Sequence, residues 1–392
     1  MGRMPTGHVV IAPDKFKGTL TASEVATHVA AGLTAAGMPA GSVVAIPVAD
    51  GGDGTVDAAV AAGYRRVEMG VRGPTGKAVT AAFGLLDGTA VIEAAQACGL
   101  SLLHREGGEL APLTASTRGV GELILAAVRM GAKKVVLGLG GTATTDGGAG
   151  LATALGARLR DAGGAELPPG GAALARLDSL DLSRLRDLSG VEFLLASDVN
   201  NPLLGPAGAA AVYGPQKGAS AADIPLLEAG LTRWADVAEA AAGRTAPEDT
   251  APGGTVRSLP GAGAAGGLGF AAQLFLGARM RPGIELLLEM SGFEQHLDGA
   301  RLVITGEGSL DAQTLHGKAP AGVAATAAAH DPAVPVVAVA GICSLSPAEL
   351  RAAGIAAAYP LTDIEPDVAA CRATPGPLLE QAAARIAADW LS

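Results

Sequence analysis

Lysine is rare in this chain, and several lysines lie where a compact cation could bind a substrate. The 28 basic residues comprise 21 arginines and only seven lysines. Four of the seven stand in glycine-containing segments: Lys15, Lys17, Lys217 and Lys318. A chain that otherwise uses arginine has kept lysine here, and an ammonium group suits phosphate oxygens as a point charge. For any one of these lysines taken singly, a solvated surface position remains the alternative.

Glycines and carboxylates also gather in five segments that follow predicted strands. The segments are residues 14–18, 49–55, 138–148, 198–202 and 305–311. In an open α/β sheet, ligands bind beyond the carboxyl ends of the strands, where such loops gather. Glycine lets backbone N–H groups approach phosphate oxygens, and Mg²⁺ takes one or two carboxylates together with substrate phosphates. The set indicates phosphoryl transfer with a Mg–nucleotide, although each segment alone could be an ordinary turn.

Two other nucleotide-binding patterns fit less well. Residues 138–143 (GLGGTA) match a G-x-G-x-x-A dinucleotide-binding turn, with Asp161 about 20 residues on. This match leaves the acidic segments and the lysines unexplained, so a nicotinamide-dependent oxidoreductase of small hydroxy acids stays an alternative. A non-catalytic protein that binds such acids is another. Gly76-Lys77 and Gly317-Lys318 lack the upstream glycine of a P-loop, and no protein-kinase motif set occurs.

The elements that must position these residues alternate between strand and helix. Predicted strands cover residues 8–12, 43–48, 134–139, 191–197, 301–305 and 334–340, and Thr21 with Glu24 forms a capping box that opens the first helix. The pattern changes after Val71, where a hairpin around Asp87-Gly88 is predicted. We predict an α/β fold with two α/β domains. Residues 1–72 and 288–392 form a discontinuous Rossmann-like parallel-sheet domain, residues 73–287 form an inserted α/β domain, and the active site is expected in the cleft between them.

Composition excludes several classes of protein. Of its 392 residues, 49% are hydrophobic, which excludes intrinsic disorder. The net charge of −10 disfavours binding to nucleic acid or to an anionic membrane. Cys98, Cys343 and Cys371 have no metal-binding or redox spacing, so we expect reduced thiols in a cytoplasmic protein. The uncharged stretch 258–278 is read as loop plus helix, because it holds six glycines and a proline.

These five segments and residues 213–218 resemble motifs of the glycerate kinase family of the bacterial glyoxylate and glucarate pathways, and the resemblance covers nearly the whole chain. Residues 11–22 resemble the family's APDSFKGSLSA, with Lys15 where serine is usual, and residues 47–55 resemble PMADGGEGT. Residues 138–148 resemble GLGGSATNDGG, with Thr142 for serine and Thr145 for asparagine. Residues 198–205 and 213–218 match DVxNPLxG and FGPQKGA, and residues 306–318 are similar to GEGRIDxQTxxGK, with Ser309 for arginine.

The resemblance implies phosphorylation of D-glycerate by ATP with Mg²⁺, usually at the 2-hydroxyl, in a two-domain α/β architecture whose cleft holds the substrates. We expect no nucleic-acid or membrane partner and leave a homodimer open. The 2- and 3-positions are not separated by the sequence alone.

We assign candidate roles to residues of these segments. The expected catalytic residues are Asp198 as the base, Asp14 as the second choice for it, and Lys15. The expected glycerate-binding residues are Lys17, Arg118, Asn200, Lys318 and His316. Nucleotide or phosphate is expected at Gly140, Gly141, Thr142, Asp146, Lys217 and Gly306, with a plain helix cap as the alternative for Asp146. Mg²⁺ is expected at Asp50, Glu307 and Asp311.

Overall fold

The computed structural model describes residues 7–105, 109–243 and 254–392, apart from the side chains of Ala40, Arg105 and His316. Its strands are β1 (His8–Pro13), β2 (Val43–Ala45), β3 (Arg65–Arg72), β4 (Ala78–Leu86), β5 (Thr89–Glu93), β6 (Lys134–Gly138), β7 (Arg158–Arg160), β8 (Ser179–Asp181), β9 (Glu192–Ala196), β10 (Arg279–Arg281), β11 (Ala300–Leu310), β12 (Val336–Cys343) and β13 (Ala357–Pro360).

The α-helices alternate with these strands along most of the chain. They are α1 (Ala22–Ala35), α2 (Thr55–Ala61), α3 (Ala94–Cys98), α4 (Leu100–Arg105), α5 (Arg118–Arg129), α6 (Ala149–Ala154), α7 (Ala209–Tyr213), α8 (Asp223–Ala242), α9 (Ala264–Leu276), α10 (Gly283–Ser291), α11 (Ala319–Ala329), α12 (Pro347–Ala352), α13 (Val368–Ala373) and α14 (Pro375–Trp390). Within the described residues, none of these helices is both long enough and apolar enough to cross a membrane.

The chain divides into two compact units. The first comprises Met1–Asp50, Asp57–Tyr64 and Pro282–Ser392, and the second comprises Gly51–Val56 and Arg65–Arg281. The α/β class and the parallel sheets predicted from the sequence are confirmed. The unit boundaries lie at other residues than 72 and 288, because β3 pairs with β4 along its whole length and α10 packs against α11.

The sheet of the first unit is fully parallel, in the order β13-β12-β11-β1-β2. Counted within this unit, the order is the doubly wound 2-1-3-4-5 arrangement, whose direction switches between β1 and β11. Side chains of β1 alternate between two cores: Val10 packs on the α11 side with Val323, and Val9 packs on the side of α1 with Val29. Both faces of the sheet are therefore buried, as parallel sheets require.

The second unit has a mixed sheet in the order β10-β9-β6-β5-β4-β3. β10, β9, β6 and β5 are parallel, β4 pairs antiparallel with β5, and β3 pairs antiparallel with β4. The predicted hairpin is confirmed: β4 and β5 are joined by Asp87 and Gly88, both with positive φ, which is the backbone conformation of a two-residue hairpin turn. A separate antiparallel ribbon is formed by β7 and β8.

Local sequence patterns predicted several elements correctly. Thr21 and Glu24 form the predicted capping box at α1, and the uncharged stretch is loop followed by α9. Several strand predictions were wrong in their bounds, most clearly those of β2 and β11. β2 ends at Ala45 rather than residue 48, and β11 continues to Leu310 instead of ending at residue 305. β11 extends because β12 continues to pair with it after β1 has ended.

Candidate active site

The switch point of the first sheet holds the residues Asp14 and Lys15. β1 ends at Pro13, and the N–H of Asp14 still donates to the carbonyl of Gly306 in β11 at 2.8 Å. The Asp14 carboxylate is buried and accepts from the N–H of Lys15 at 2.6 Å, while Lys15 Nζ lies 3.6 Å from the same oxygen. In doubly wound sheets the crevice beyond the strand ends at this point is where ligands bind.

Glu307 lies beside this point in strand β11, which corrects the expectation that residues 305–311 form a loop. The Thr314 hydroxyl donates to one carboxylate oxygen of Glu307 at 2.5 Å, and Lys318 Nζ lies 3.8 Å from the other. Lys318 is also the residue that precedes helix α11. The 305–318 segment thus brings the carboxylate of Glu307, in a strand, close to the ammonium group of Lys318, at the start of a helix.

Burial and neighbouring carboxylates raise the pKa values of Asp14 and Glu307. Burial raises the pKa of Asp14 to about 6, with a further increase from Asp50 and an opposing effect of Lys15. Burial likewise raises the pKa of Glu307 to about 7, where Thr314 and Lys318 oppose the shift and Asp14 and Asp311 add to it. A cation placed beside these carboxyl groups would favour their ionised forms. In the part of the chain that the structure describes, no group of three or more His, Cys, Asp or Glu side chains is arranged to hold a metal ion.

The glycines of two loops in the second unit are needed for backbone-to-backbone packing. The N–H of Gly140 donates to the carbonyl of Gly51 at 3.2 Å. A Cβ on Gly140 would lie 2.5 Å from Gly52 Cα, and one on Gly138 would lie 2.6 Å from the Gly51 carbonyl oxygen. Gly141 has φ +73° and would place a Cβ against the Asp53 carboxylate. These glycines therefore have a packing explanation beside any role in phosphate binding.

Asp146 lies inside the second unit, where it holds the starts of two helices. Its carboxylate accepts from the N–H of Thr117 at 2.9 Å and from the N–H groups of Gly148 and Gly150, each at 3.1 Å. Thr117 precedes α5, and Gly148 precedes α6. Asp146 thus caps helix starts, as the alternative expectation had it, and its side chain is fully buried. Direct contact of Asp146 with phosphate stays a prediction.

Lys217 is buried beneath the 138–148 loop. Its Nζ donates to the Thr144 carbonyl at 2.6 Å and to the Thr142 hydroxyl at 3.4 Å. Burial lowers the pKa of Lys217 to about 8. Because both donor contacts go to the loop, Lys217 supports the loop's shape, and its contact with nucleotide also stays a prediction.

The remaining predicted residues differ in exposure. Asp198 and Asn200 follow β9 and are exposed, as is Lys17, so all three are accessible to a solute. Arg118 begins α5, and its Nε donates to Glu122 at 3.3 Å one helical turn on. Gly306 lies in β11, where a Cβ would collide with the Val339 carbonyl. The side chain predicted at His316 lies outside the described residues.

Glu93 and Thr314 form hydrogen bonds that hold residues of these segments in place, and the sequence analysis did not predict either. The buried Glu93 carboxylate, at the end of β5, accepts from the N–H groups of Gly54 at 3.1 Å and Val56 at 3.3 Å, at the start of α2. Thr314 fixes Glu307 as described above. A buried acid at a strand end was the available signal for Glu93, but its partners lie 37 and 39 residues away in sequence and could not be named.

The chain is similar to known proteins over nearly its whole length. Residues 9–391 match the model of the Glycerate kinase family. A protein named Glycerate kinase from Bacillus subtilis (strain 168) is 47% identical over 340 residues, which cover 86% of this chain and 85% of that protein. One named Glycerate 2-kinase from Escherichia coli (strain K12) is 45% identical over 338 residues, covering 85% and 84%.

A solved structure is also similar over the whole chain. The crystal structure described as glycerate kinase 2 from Salmonella typhimurium LT2 is 39% identical and superposes with a TM-score of 0.80. The match covers 99% of this chain and all of that one. The chain belongs to the glycerate kinase family, as its motifs predicted.

Proposed function

We propose that the protein transfers the γ-phosphoryl group of ATP to D-glycerate, with the 2-hydroxyl as acceptor. The observation that carries this proposal is the cluster of Asp14, Lys15, Glu307 and Lys318 at the switch point of a parallel sheet, in a member of this family. The relative named for the 2-position supports the choice of hydroxyl.

The transfer is an in-line displacement. A bond forms between the glycerate oxygen and the γ-phosphorus, the bond to the β,γ-bridging oxygen breaks, and ADP leaves with that electron pair. The hydroxyl proton passes to a carboxylate, for which we propose Asp198, with Asp14 as the second choice.

Charge decides the remaining roles. Glycerate and ATP are anions and the chain carries a net charge of −10, so both substrates need local cations, for which we propose Lys15, Lys17 and Lys318. Asp50, Glu307 and Asp311 would hold Mg²⁺ directly or through its water shell. Bound with the nucleotide, that ion supplies neutralisation of phosphate charge.

A coupled ADP-release assay tests this function. Purified protein with ATP, Mg²⁺ and D-glycerate should release ADP in proportion to glycerate consumed, and ³¹P NMR of the product should show 2-phosphoglycerate. Binding of glycerate without ADP release would instead indicate a non-catalytic binding protein, and NADH formation without an ATP requirement would indicate an oxidoreductase. A 3-phosphoglycerate product would overturn the choice of hydroxyl alone.

A further inference from the structure

A cavity of about 460 Å³ in the second unit is lined by three arginines: Arg118, Arg158 and Arg184. Its wall lies between α5, α6 and the ribbon region around β7, and includes Ser116 and Glu166. Apart from Arg118, none of the residues proposed above for glycerate, nucleotide or Mg²⁺ lines it. The volume lies within the range of small-ligand sites.

The charge of this wall is opposite to that of the chain. Among the described residues, Glu166 is the one carboxylate in the lining, so three arginines face one acid in a chain whose net charge is −10. A concave wall of one sign concentrates the opposite charge, and this wall attracts anions.

The arginines are only weakly occupied by protein partners. Arg158 Nε lies 3.8 Å from Glu166, which is too long for a strong hydrogen bond. Arg118 pairs at 3.3 Å with Glu122, which does not line the cavity, and the Arg118 side chain is half exposed. Arg184 forms no ion pair with any described residue. Ion pairs of this kind at a surface contribute little to stability, so an anion can compete for the guanidinium groups.

The buried hydroxyl of Ser116 adds a neutral donor. It accepts from the N–H of Arg118 at 3.3 Å, and its own proton has no acceptor among the described residues. Guanidinium groups and hydroxyl donors are groups that bind phosphate oxygens in proteins.

A second cavity of about 600 Å³ continues this basic surface. It shares Gly156 and Arg184 with the first, and adds Arg129 and Arg186 against Asp187. Arg184 therefore lines both cavities. Five arginines against two acids suit a ligand with more than one phosphate group.

We propose that these two neighbouring cavities, which share Arg184, bind a small organic polyanion with two or more phosphate groups, at a site separate from that of phosphoryl transfer. The inference rests on the wall of the second unit alone and does not depend on the proposed kinase reaction. Arg118 is accordingly assigned to this site rather than to glycerate.

Calorimetric titration with inorganic pyrophosphate tests the proposal on the full chain. Wild-type protein should bind pyrophosphate at sub-millimolar concentration, and Arg184→Gln and Arg158→Gln should each raise Kd at least tenfold. Arg184→Lys keeps the charge but loses the fork, and should give an intermediate Kd. Arg65→Gln, an exposed arginine of β3 outside both cavities, is the matched control and should leave Kd unchanged within twofold. Unchanged melting temperatures would show that the variants are folded.

Two results would overturn the site. Absence of binding by wild-type protein at 5 mM pyrophosphate is one, and wild-type affinity in Arg184→Gln is the other, because it would assign pyrophosphate to another place. Kinetics test separateness: Arg184→Gln without pyrophosphate should keep kcat and both KM values within twofold of wild type. A tenfold rise in either KM would make the cavity part of the substrate site. Absence of ADP release by wild-type protein would overturn the kinase function and leave the titration unaffected.

Discussion

At the scale of single residues, the exposure of Asp198 and the burial of Asp14 separate two candidates for the catalytic base. Asp198 is exposed after β9, where a bound hydroxyl could reach it, whereas Asp14 is buried and has a raised pKa. Because its pKa is raised, Asp14 is mostly protonated below about pH 6 and cannot accept a proton there. Above that pH its carboxylate is a stronger base than an ordinary aspartate. Each candidate therefore makes its own prediction.

Asp198→Asn is expected to lower kcat by about 10²–10⁴-fold, because the variant cannot accept the hydroxyl proton. The ADP-release assay measures this loss, and titration with ADP should show nucleotide affinity within about threefold of wild type. Asp178→Asn, at another exposed aspartate of the second unit, is the control and should keep its kcat. A near-normal kcat in Asp198→Asn would transfer the role to Asp14.

Asp14→Asn is expected to raise the free energy of unfolding at pH 8. The folded-state pKa of about 6 lies above the ordinary value of 3.8. The folded chain thus holds the proton more tightly, and its stability falls as pH rises from about 4 to 6. Removing the charge should gain about 1–3 kcal/mol at pH 8 and roughly 1 kcal/mol less at pH 5.

Urea unfolding of wild type and Asp14→Asn at both pH values measures this gain. Asp363→Asn, at an exposed carboxylate of the same unit, pays no comparable burial cost and serves as the control. A destabilised Asp14→Asn at pH 8 would contradict the burial argument. A stabilised but less active variant would indicate that the site keeps a strained charge for function.

At the scale of elements, glycine-bearing loops of the second unit owe their shape to one another. Gly51 and Gly54 both have left-handed φ, at +88° and +96°. A Cβ on Gly51 would collide with the Ala196 carbonyl, whereas one on Gly54 would meet nothing within 4 Å. The two positions thus separate backbone strain from close packing.

Gly51→Ala is expected to lower the free energy of unfolding by about 1–3 kcal/mol more than Gly54→Ala. Both variants incur the cost of a left-handed alanine, about 1–2 kcal/mol, and only Gly51→Ala adds the collision with β9. Urea unfolding monitored by circular dichroism measures the difference, with Gly54→Ala as the matched control. Equal losses would show that the loops do not depend on this contact.

The elements also show where local sequence signals suffice. The capping box at α1 and the hairpin across Asp87-Gly88 were predicted because their determinants lie within a few residues. The true end of β11 was missed, because pairing with β12, some 30 residues later in the chain, decides it. Strand length depends on neighbours that no local window contains.

At the scale of the whole molecule, the proposed activity should follow the Mg–nucleotide complex. Mg²⁺ is held by few protein carboxylates and mainly by substrate phosphates, so we expect it to arrive with ATP. Treatment with EDTA should reduce ADP release to background, and excess Mg²⁺ should restore it fully without refolding. Ca²⁺ at the same concentration is the control and should restore little activity, because it prefers more ligands at longer distances. Full activity in EDTA would contradict a role for the ion.

The sequence by itself determined the α/β class, the family and the motif-bearing segments, because each rests on residues close together in the chain. Tertiary structure decided which of those residues face solvent. Asp146 and Lys217 stand in motifs that suggested phosphate contact, yet both side chains are buried against Thr117 and Thr144. Asp14 and Glu307, nearly 300 positions apart, became neighbours through the pairing of β1 with β11. Burial and charge coupling arise from such distant contacts, and no local pattern encodes them.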